Sequence, residues 1–386
     1  MVPALSALLS LLTLKLLDKE RRSHIGDFNF DSALGLFAGL NVLPKKSFAT
    51  DYSYRTTGNH HRKLLEGWVQ ALGPILFPEP EGFSLDFHPI PYRGEPSGLE
   101  NHYLPRRGVA GPSVLTFFAL EQKSRCLCYT DANLLRADHQ CQAMRFVEFW
   151  NTVTGEDPQW LYLDSKVVDY PELSRLNQRK VNFVTIRRRG AAILRRLAKI
   201  PSKQWQTAVI DIPKRRHRNI RYLDETIRLQ GYDGPIRQVP VHGLGRENPT
   251  LFLSNNFDAT PRQLVYRYAG RNRIEDGLGI SVNFFHLDCL ASEVRLNVDL
   301  DAALTVLANG CYRWLGRQLR GFDAAAPKQL YRRFVELAGT INIEAKQIEV
   351  AFEKRSHNPI LREAALDKNS KPIPWLGNRT VRFTYP

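Results

Sequence analysis

Apolar and polar positions recur along the chain in two rhythms, one near 3.6 residues and one of 2, and each marks a different element. Up to residue 75 the helical rhythm dominates: MVPALSALLSLLTLKLL, which carries Lys15, and RKLLEGWVQALG read as helices, and GLFAGLNVLPKKSF ends in a turn. The opening run has no basic leading region and no small-residue cleavage site. It is also shorter than the roughly 20 apolar residues of a membrane span, so it reads as a helix packed on the protein. An apolar helix starting at Met1 also points to a segment upstream of it. His60 and His61 fall in a polar stretch and read as solvated.

The rhythm then changes to 2. In FSLDFHPIPY (83–92), Phe83, Leu85 and Phe87 share one face while Ser84, Asp86 and His88 share the other. SVLTFFAL (113–120) and RCLCYTD (125–131) read as two more strands of a meander. ADHQCQAMRFVEFWNTV (137–153) is helical and leads to Trp160–Leu163, a continuously apolar strand ending in Asp164. YPELSRLNQ (170–178) reads as a helix and VNFVTI (181–186) as a strand, a strand–helix–strand unit and hence parallel. A carboxylate at the C-terminal end of such a strand stands where open α/β sheets bind ligands.

Between 188 and 257 the pattern is of short strands, TAVIDI, GPIRQVPVHG and PTLFLSN, separated by Pro, Gly and Arg. A helix resumes near Thr260, a capping residue, with Pro261 in its first turn. In it Tyr268, Arg271 and Glu275 are spaced i, i+3, i+7 and share one face. LDAALTVLANGCYRWLGRQL (300–319) is apolar nearly all round and reads as a core helix. A helix and the hairpin TINIEA/QIEVAFEK close the chain. The segments are therefore 1–75 helical, 76–187 the first part of an α/β core, 188–257 a basic β-rich insertion, 258–340 the second part of the core, and 341–386 a hairpin and tail.

Composition narrows the classes. The 386 residues exceed one ~150-residue domain, and 43% hydrophobic with 24% charged residues excludes disorder and low-complexity chains. Fifty-four Lys and Arg against 39 Asp and Glu leave +15, which favours polyanionic partners. The surplus is concentrated: eight basic and no acidic residues lie from Lys180 to Lys203, and KRRHRNIR (214–221) adds five more. Five cysteines without a CxxC pair suggest neither a zinc ribbon nor a disulfide framework, as in a reducing cytosol. Cys126 and Cys128 read as small packing residues.

Three acids stand apart by context: Asp86 on an early strand, Asp164 ending a buried strand, and Glu275 on a helix after the basic insertion. Alone, each is one of 39 acidic residues, most of which belong on a surface. Their order, with the words GLNVLPKKSFATDYSYR, FSLDFHPIPYRG, WLYLDSKVVDYPELSRLNQRKVNFVTIRRRG, YAGRNRIEDGL and VDLDAALTVLANGCYRWL, resembles the bacterial insertion-sequence transposases of the Asp-Asp-Glu type. Members of that family with a β-rich insertion carry Tyr-x2-Arg-x3-Glu-x6-Lys. Tyr268, Arg271 and Glu275 match the first three positions, and Val282 stands where the family has Lys.

The resemblance implies a ribonuclease H-like mixed sheet flanked by helices and interrupted by the insertion. It implies Asp86, Asp164 and Glu275 as catalytic ligands of two Mg²⁺ ions, with Mn²⁺ as substitute, since in-line displacement at a phosphodiester needs both attacking and leaving oxygens stabilised. Tyr268 and Arg271 would contact DNA phosphate, with helix packing and surface exposure as their other readings. The partners implied are double-stranded DNA, namely the element's terminal inverted repeats and the target, bound by a homodimer in the bacterial cytoplasm at the nucleoid. Arg187, Arg188 and Arg189 are the candidates for backbone contacts in the insertion. Trp205 reads as buried in the β segment or as a base-stacking residue, and His88 as a hydrogen-bonded structural residue or an aid to the metal site. Two other functions stay open: a catalytically inactive remnant that only binds DNA, and a ribonuclease H-like repair nuclease that cleaves without joining.

Overall fold

The amino-terminal helical rhythm becomes four helices, α1 (Ala4–Leu16), α2 (Ser32–Phe37), α3 (Lys46–Asp51) and α4 (Gly58–Leu76). The computed structural model describes residues 2–92, 94, 99–132, 134–167, 169–212, 218–289, 292 and 294–386; Lys214, Arg215 and Arg216 of the second basic run lie outside them. α4 begins at Thr57, whose hydroxyl accepts the His60 N–H while the His60 ring accepts the Thr57 N–H, a reciprocal cap. His60 and His61 therefore occupy a helix start, not a loop; His60 is exposed, as read, whereas His61 is buried at 3% exposure.

Four strands follow: β1 (Phe83–Pro91), β2 (Asn101–Leu104), β3 (Val109–Glu121) and β4 (Cys126–Asp131). β1, β3 and β4 form the expected antiparallel meander, and β2 adds a short strand on β3. α5 (Gln142–Thr154) ends at Gly155, whose φ of 81° is the left-handed conformation that stops a helix. β5 (Trp160–Leu163), α6 (Tyr170–Gln178) and β6 (Asn182–Arg187) form the strand–helix–strand unit. α6 is capped by Asp169, which accepts the Glu172 N–H at 2.8 Å. β5 is parallel to both β1 and β6, as that connection demands.

The basic segment supplies α7 (Ala191–Ala198), β7 (Gln206–Val209), β8 (Asn219–Tyr222), β9 (Glu225–Arg228), β10 (Pro235–His242) and β11 (Thr250–Ser254). Its strands extend the same sheet, antiparallel, from β6 outward. The order is β2-β3-β1-β5-β6-β11-β10-β8-β7, with β4 on β3 and β9 on β10. After it come α8 (Pro261–Ala269), α9 (Asn272–Asn283), α10 (Arg295–Gln318), α11 (Pro327–Leu330), β12 (Gly339–Ile343), β13 (Gln347–Phe352), α12 (Asn358–Ala364) and β14 (Thr380–Thr384). β14 lies parallel to β13, a third strand where the sequence suggests only a tail. No helix among the described residues is long and apolar enough to cross a membrane.

Alternation along β5 separates two cores. Leu161 and Leu163 face the larger one, with Phe83, Leu85 and much of α10. Trp160 and Tyr162 face the smaller one, with Val184, Val239, Phe252 and Leu264 and Val265 of α8. The result is a large mixed sheet with helices on both faces. Because Ser84 pairs with Tyr162 in register, Ser84, Asp86 and His88 lie on the face that α8 and α9 cover.

Candidate active site

Asp86 lies within β1, and its parallel neighbour β5 ends at Leu163, opposite Leu85. One residue further on, Asp86 and Asp164 are therefore neighbours at the C-terminal edge of the parallel strands. Asp164 is half-buried, and one of its oxygens accepts the Ser165 N–H at 2.8 Å. The third acid arrives on α9, which docks closely because two glycines permit it. A Cβ at Gly270 would lie 2.4 Å from Gln122 Oε1, and one at Gly277 2.6 Å from Leu120 Cδ1. The single helix read through this stretch, with Gly270 and Gly279 as its weak points, is interrupted at the first of them, at Gly270 and Arg271 between α8 and α9.

At that interruption Arg271 turns inward and gathers the site. Its Nη1 donates to Asp86 Oδ2 at 3.2 Å, its Nη2 to Glu275 Oε1 at 3.0 Å, and its Nε reaches the Tyr268 hydroxyl at 3.4 Å. Arg271 and Asp86 are largely buried, whereas the Glu275 side chain is 58% exposed. Burial pushes the Asp86 carboxyl up to about 6; the Arg271 charge opposes this, and the negative charges of Asp164 and Glu275 reinforce it. Burial alone would lower the pKa of Arg271, but Asp86, Tyr268 and Asp164 outweigh it and the net shift is upward. Burial also raises the Tyr268 phenol. Asp86 and Arg271 thus meet in a poorly solvated volume, with half-buried Asp164 and exposed Glu275 at its margin.

The donor set suits a hard divalent cation, since every candidate ligand is a carboxylate oxygen; the Asp86 carboxyl is raised chiefly by burial, with Asp164 and Glu275 adding to it. The spacing, however, is that of a guanidinium bridge. Among the described residues no group of three or more His, Cys, Asp or Glu side chains is arranged to hold a metal ion.

The remaining sequence candidates lie around this centre. β6 runs parallel to β5 with Thr185 opposite Leu163, so Arg187 emerges at the same edge as Asp164. It donates to Gln238 Oε1 at 2.7 Å, while Arg188 and Arg189 are exposed beyond it. Trp205 is half-buried with its ring 4.8 Å from that of His242. His88 Nε2 lies 2.6 Å from Asp288 Oδ1, the partner of a hydrogen-bonded structural histidine. Cys126 and Cys128 are buried in β4 as free thiols, as packing residues would be. An open groove of about 2160 Å³ borders the site, lined by Tyr268 and Glu275 but by neither Asp86 nor Asp164. It opens onto the exposed acid, and the two strand acids lie behind Arg271.

Sequence reasoning missed the residues that hold α9 in place. Gln122, in the β3–β4 turn, receives Gly270 and donates to Ser84 at 2.9 Å, and its carbonyl accepts Arg273 Nη1 at 2.7 Å. Glycines recurring within a helical stretch were the available signal of close docking, but nothing in the sequence pointed to Gln122 as the partner.

No protein-family model matches the chain, and no curated protein matches it. Among solved structures it is similar to a chain of the cryo-EM structure of the piggyBac transposase synaptic complex with hairpin DNA. The TM-score is 0.47 at 12% sequence identity, covering 85% of this chain and 69% of that chain. No residue role is carried over from it.

Proposed function

We propose that this chain is a metal-dependent DNA transposase, which cleaves DNA at an element's ends and joins them to a target, and that its sheet is of the ribonuclease H-like kind. The reading rests on one observation: Asp86, Asp164 and Glu275, far apart in sequence, gather about Arg271 at the C-terminal edge of the parallel strands. Asp86, Asp164 and Glu275 would hold two Mg²⁺ ions, or Mn²⁺. Bound there, such ions stabilise the attacking and leaving oxygens of an in-line displacement at phosphorus.

The chain's own groups do the rest. Arg271 supplies a planar donor pair suited to a phosphate, and the Tyr268 hydroxyl near its Nε orients it. Burial of Asp86 and Arg271 lowers the local dielectric, which strengthens each charge contact made to substrate. Arg187, Arg188 and Arg189 at the same edge are placed for the DNA backbone.

Purified protein with Mg²⁺ or Mn²⁺ and the element's terminal repeats should nick those ends and transfer them. Asp164→Asn should lower cleavage by more than about a hundredfold and leave DNA binding intact. Undiminished cleavage by that variant rejects the site. A second reading, a non-catalytic DNA-binding remnant, is favoured by the Arg271 bridge itself, which occupies the space between Asp86 and Glu275. Binding with no metal-dependent product from the wild-type chain would establish it.

A further inference from the structure

The groove beside Glu275 is also lined by Arg125, in the β3–β4 turn, and by Arg313, near the end of α10. Arg313 lies in the last turns of this largely buried helix and is itself only 8% exposed. Its Nε has no hydrogen-bond partner, and no hydrogen bond or ion pair of its guanidinium occurs among the described residues. A buried guanidinium with its donors unused is costly, and five donors normally find acceptors. Its charged neighbours make the position worse: Arg125 and Arg317 both bear on it, with the exposed Asp323 as the acid that opposes them.

The buried acid at the end of β3 is already engaged. The Glu121 carboxylate takes the backbone N–H groups of Glu81, Lys123 and Ser124. Lys123 pairs with Glu79 at 3.1 Å. Arg317 donates to the Ile75 and Leu76 carbonyls at the end of α4, which fixes its charge beside α10. Concentrated positive charge with free donors, facing a groove, is what an anion completes.

We infer that Arg125 and Arg313, backed by Arg317, form a phosphate seat that holds the backbone of the nucleic-acid strand running along the groove to Glu275. The inference rests on the transposase reading for the identity of the strand. The seat is tied mechanically to the acid: Arg273, two residues before Glu275, donates to the Gln122 carbonyl in the same turn that carries Arg125. A phosphate fixed at the turn therefore sets the position of the strand relative to α9.

The test measures binding of a fluorescent DNA duplex by anisotropy in EDTA, as a function of salt. Arg125 is exposed and its φ is 55°, a conformation that Asn tolerates, so Arg125→Asn removes the charge without disturbing the turn. It should weaken binding about 3- to 10-fold and reduce the slope of log K against log salt by about 1. Adding Arg313→Gln, with folding checked by thermal melting, should reduce the slope by about 1 more. Wild-type affinity and slope in Arg125→Asn would overturn the seat. If inorganic pyrophosphate raises the melting temperature of the wild type alone while the DNA slopes stay equal, the backbone assignment falls. Binding in EDTA needs no metal ion, so it reads the seat independently of cleavage. Failure of metal-dependent cleavage would then remove the enzymatic reading and leave this one standing.

Discussion

Two groups of buried charges sit on opposite faces of the sheet, and they are balanced differently. On α10 every acid has its own partner: Asp301 receives Lys15 Nζ at 2.6 Å and Asp299 lies 2.6 Å from His61 Nδ1. Spare groups are used too, since Lys15 also donates to the Phe285 carbonyl and Asp299 accepts the Ala132 N–H. At the other site three carboxylates share one guanidinium, and the Asp86 carboxyl is pushed up to about 6 chiefly by burial. The first group is matched and joins α1 and α4 to the core helix. The second leaves Asp86 in an unfavourable balance that a proton or an added cation would relieve, the kind of imbalance found more often at functional sites than at structural ones.

The largest effect that separates them is on stability. Asp301→Ala strips a buried ammonium of its counter-charge and should cost about 3–5 kcal/mol, read by urea unfolding. Replacing both partners, Lys15→Met with Asp301→Leu, should recover most of it. Asp86→Asn should cost far less, because the folded site already disfavours the ionised form. Equal losses in Asp301→Ala and Asp86→Asn would erase the distinction.

The next effect concerns pH. The folded pKa of Asp86 lies above its unfolded value of 3.8, so the folded state binds a proton more tightly. In metal-free protein, stability should therefore rise as pH falls from 7 through 6 towards 4, by up to about 3 kcal/mol from this group. It is lost again as pH returns above 6. Asp86→Asn should abolish that part of the profile. A mutant and wild type with the same pH slope between 4 and 7 would place the raised carboxyl elsewhere.

The same contrast explains what could be read in advance. The buried strand Trp160–Leu163, the helix Tyr170–Gln178 and the apolar helix α10 were legible because periodicity reports burial directly. Asp86, Asp164 and Glu275 were legible as a set from their order and context. The matched cluster was not: Lys15 in an apolar run and His61 in a polar one acquire meaning only when α1 and α4 cross α10, a contact between residues more than 200 apart. The break between α8 and α9 was only half legible: Gly270 marks the place, but Gly270 and Arg271 keep right-handed helical angles, and the close approach to Gln122 could not be read. Arg313 stands out in the sequence as a cation in a mostly apolar stretch, but its missing partners do not.

The smallest effects test whether α9 is seated as tightly as the charge imbalance requires. A Cβ at Gly270 would meet Gln122 Oε1 at 2.4 Å, and Gln122 cannot swing away without giving up its bond to Ser84. Gly270→Ala should therefore cost about 1–3 kcal/mol as an overpacking change and displace Arg271 from Asp86. At Gly279, on α9 itself, an added methyl group would have nothing within 4 Å, and the helical backbone there suits any residue. Gly279→Ala should stabilise by about 0.5–1 kcal/mol, because the unfolded chain loses freedom and the helix gains propensity. Opposite signs from the two substitutions, measured by thermal unfolding, are the expected outcome. The same sign from both would mean that α9 is not held against the β3–β4 turn, and that the shared guanidinium is not fixed by packing.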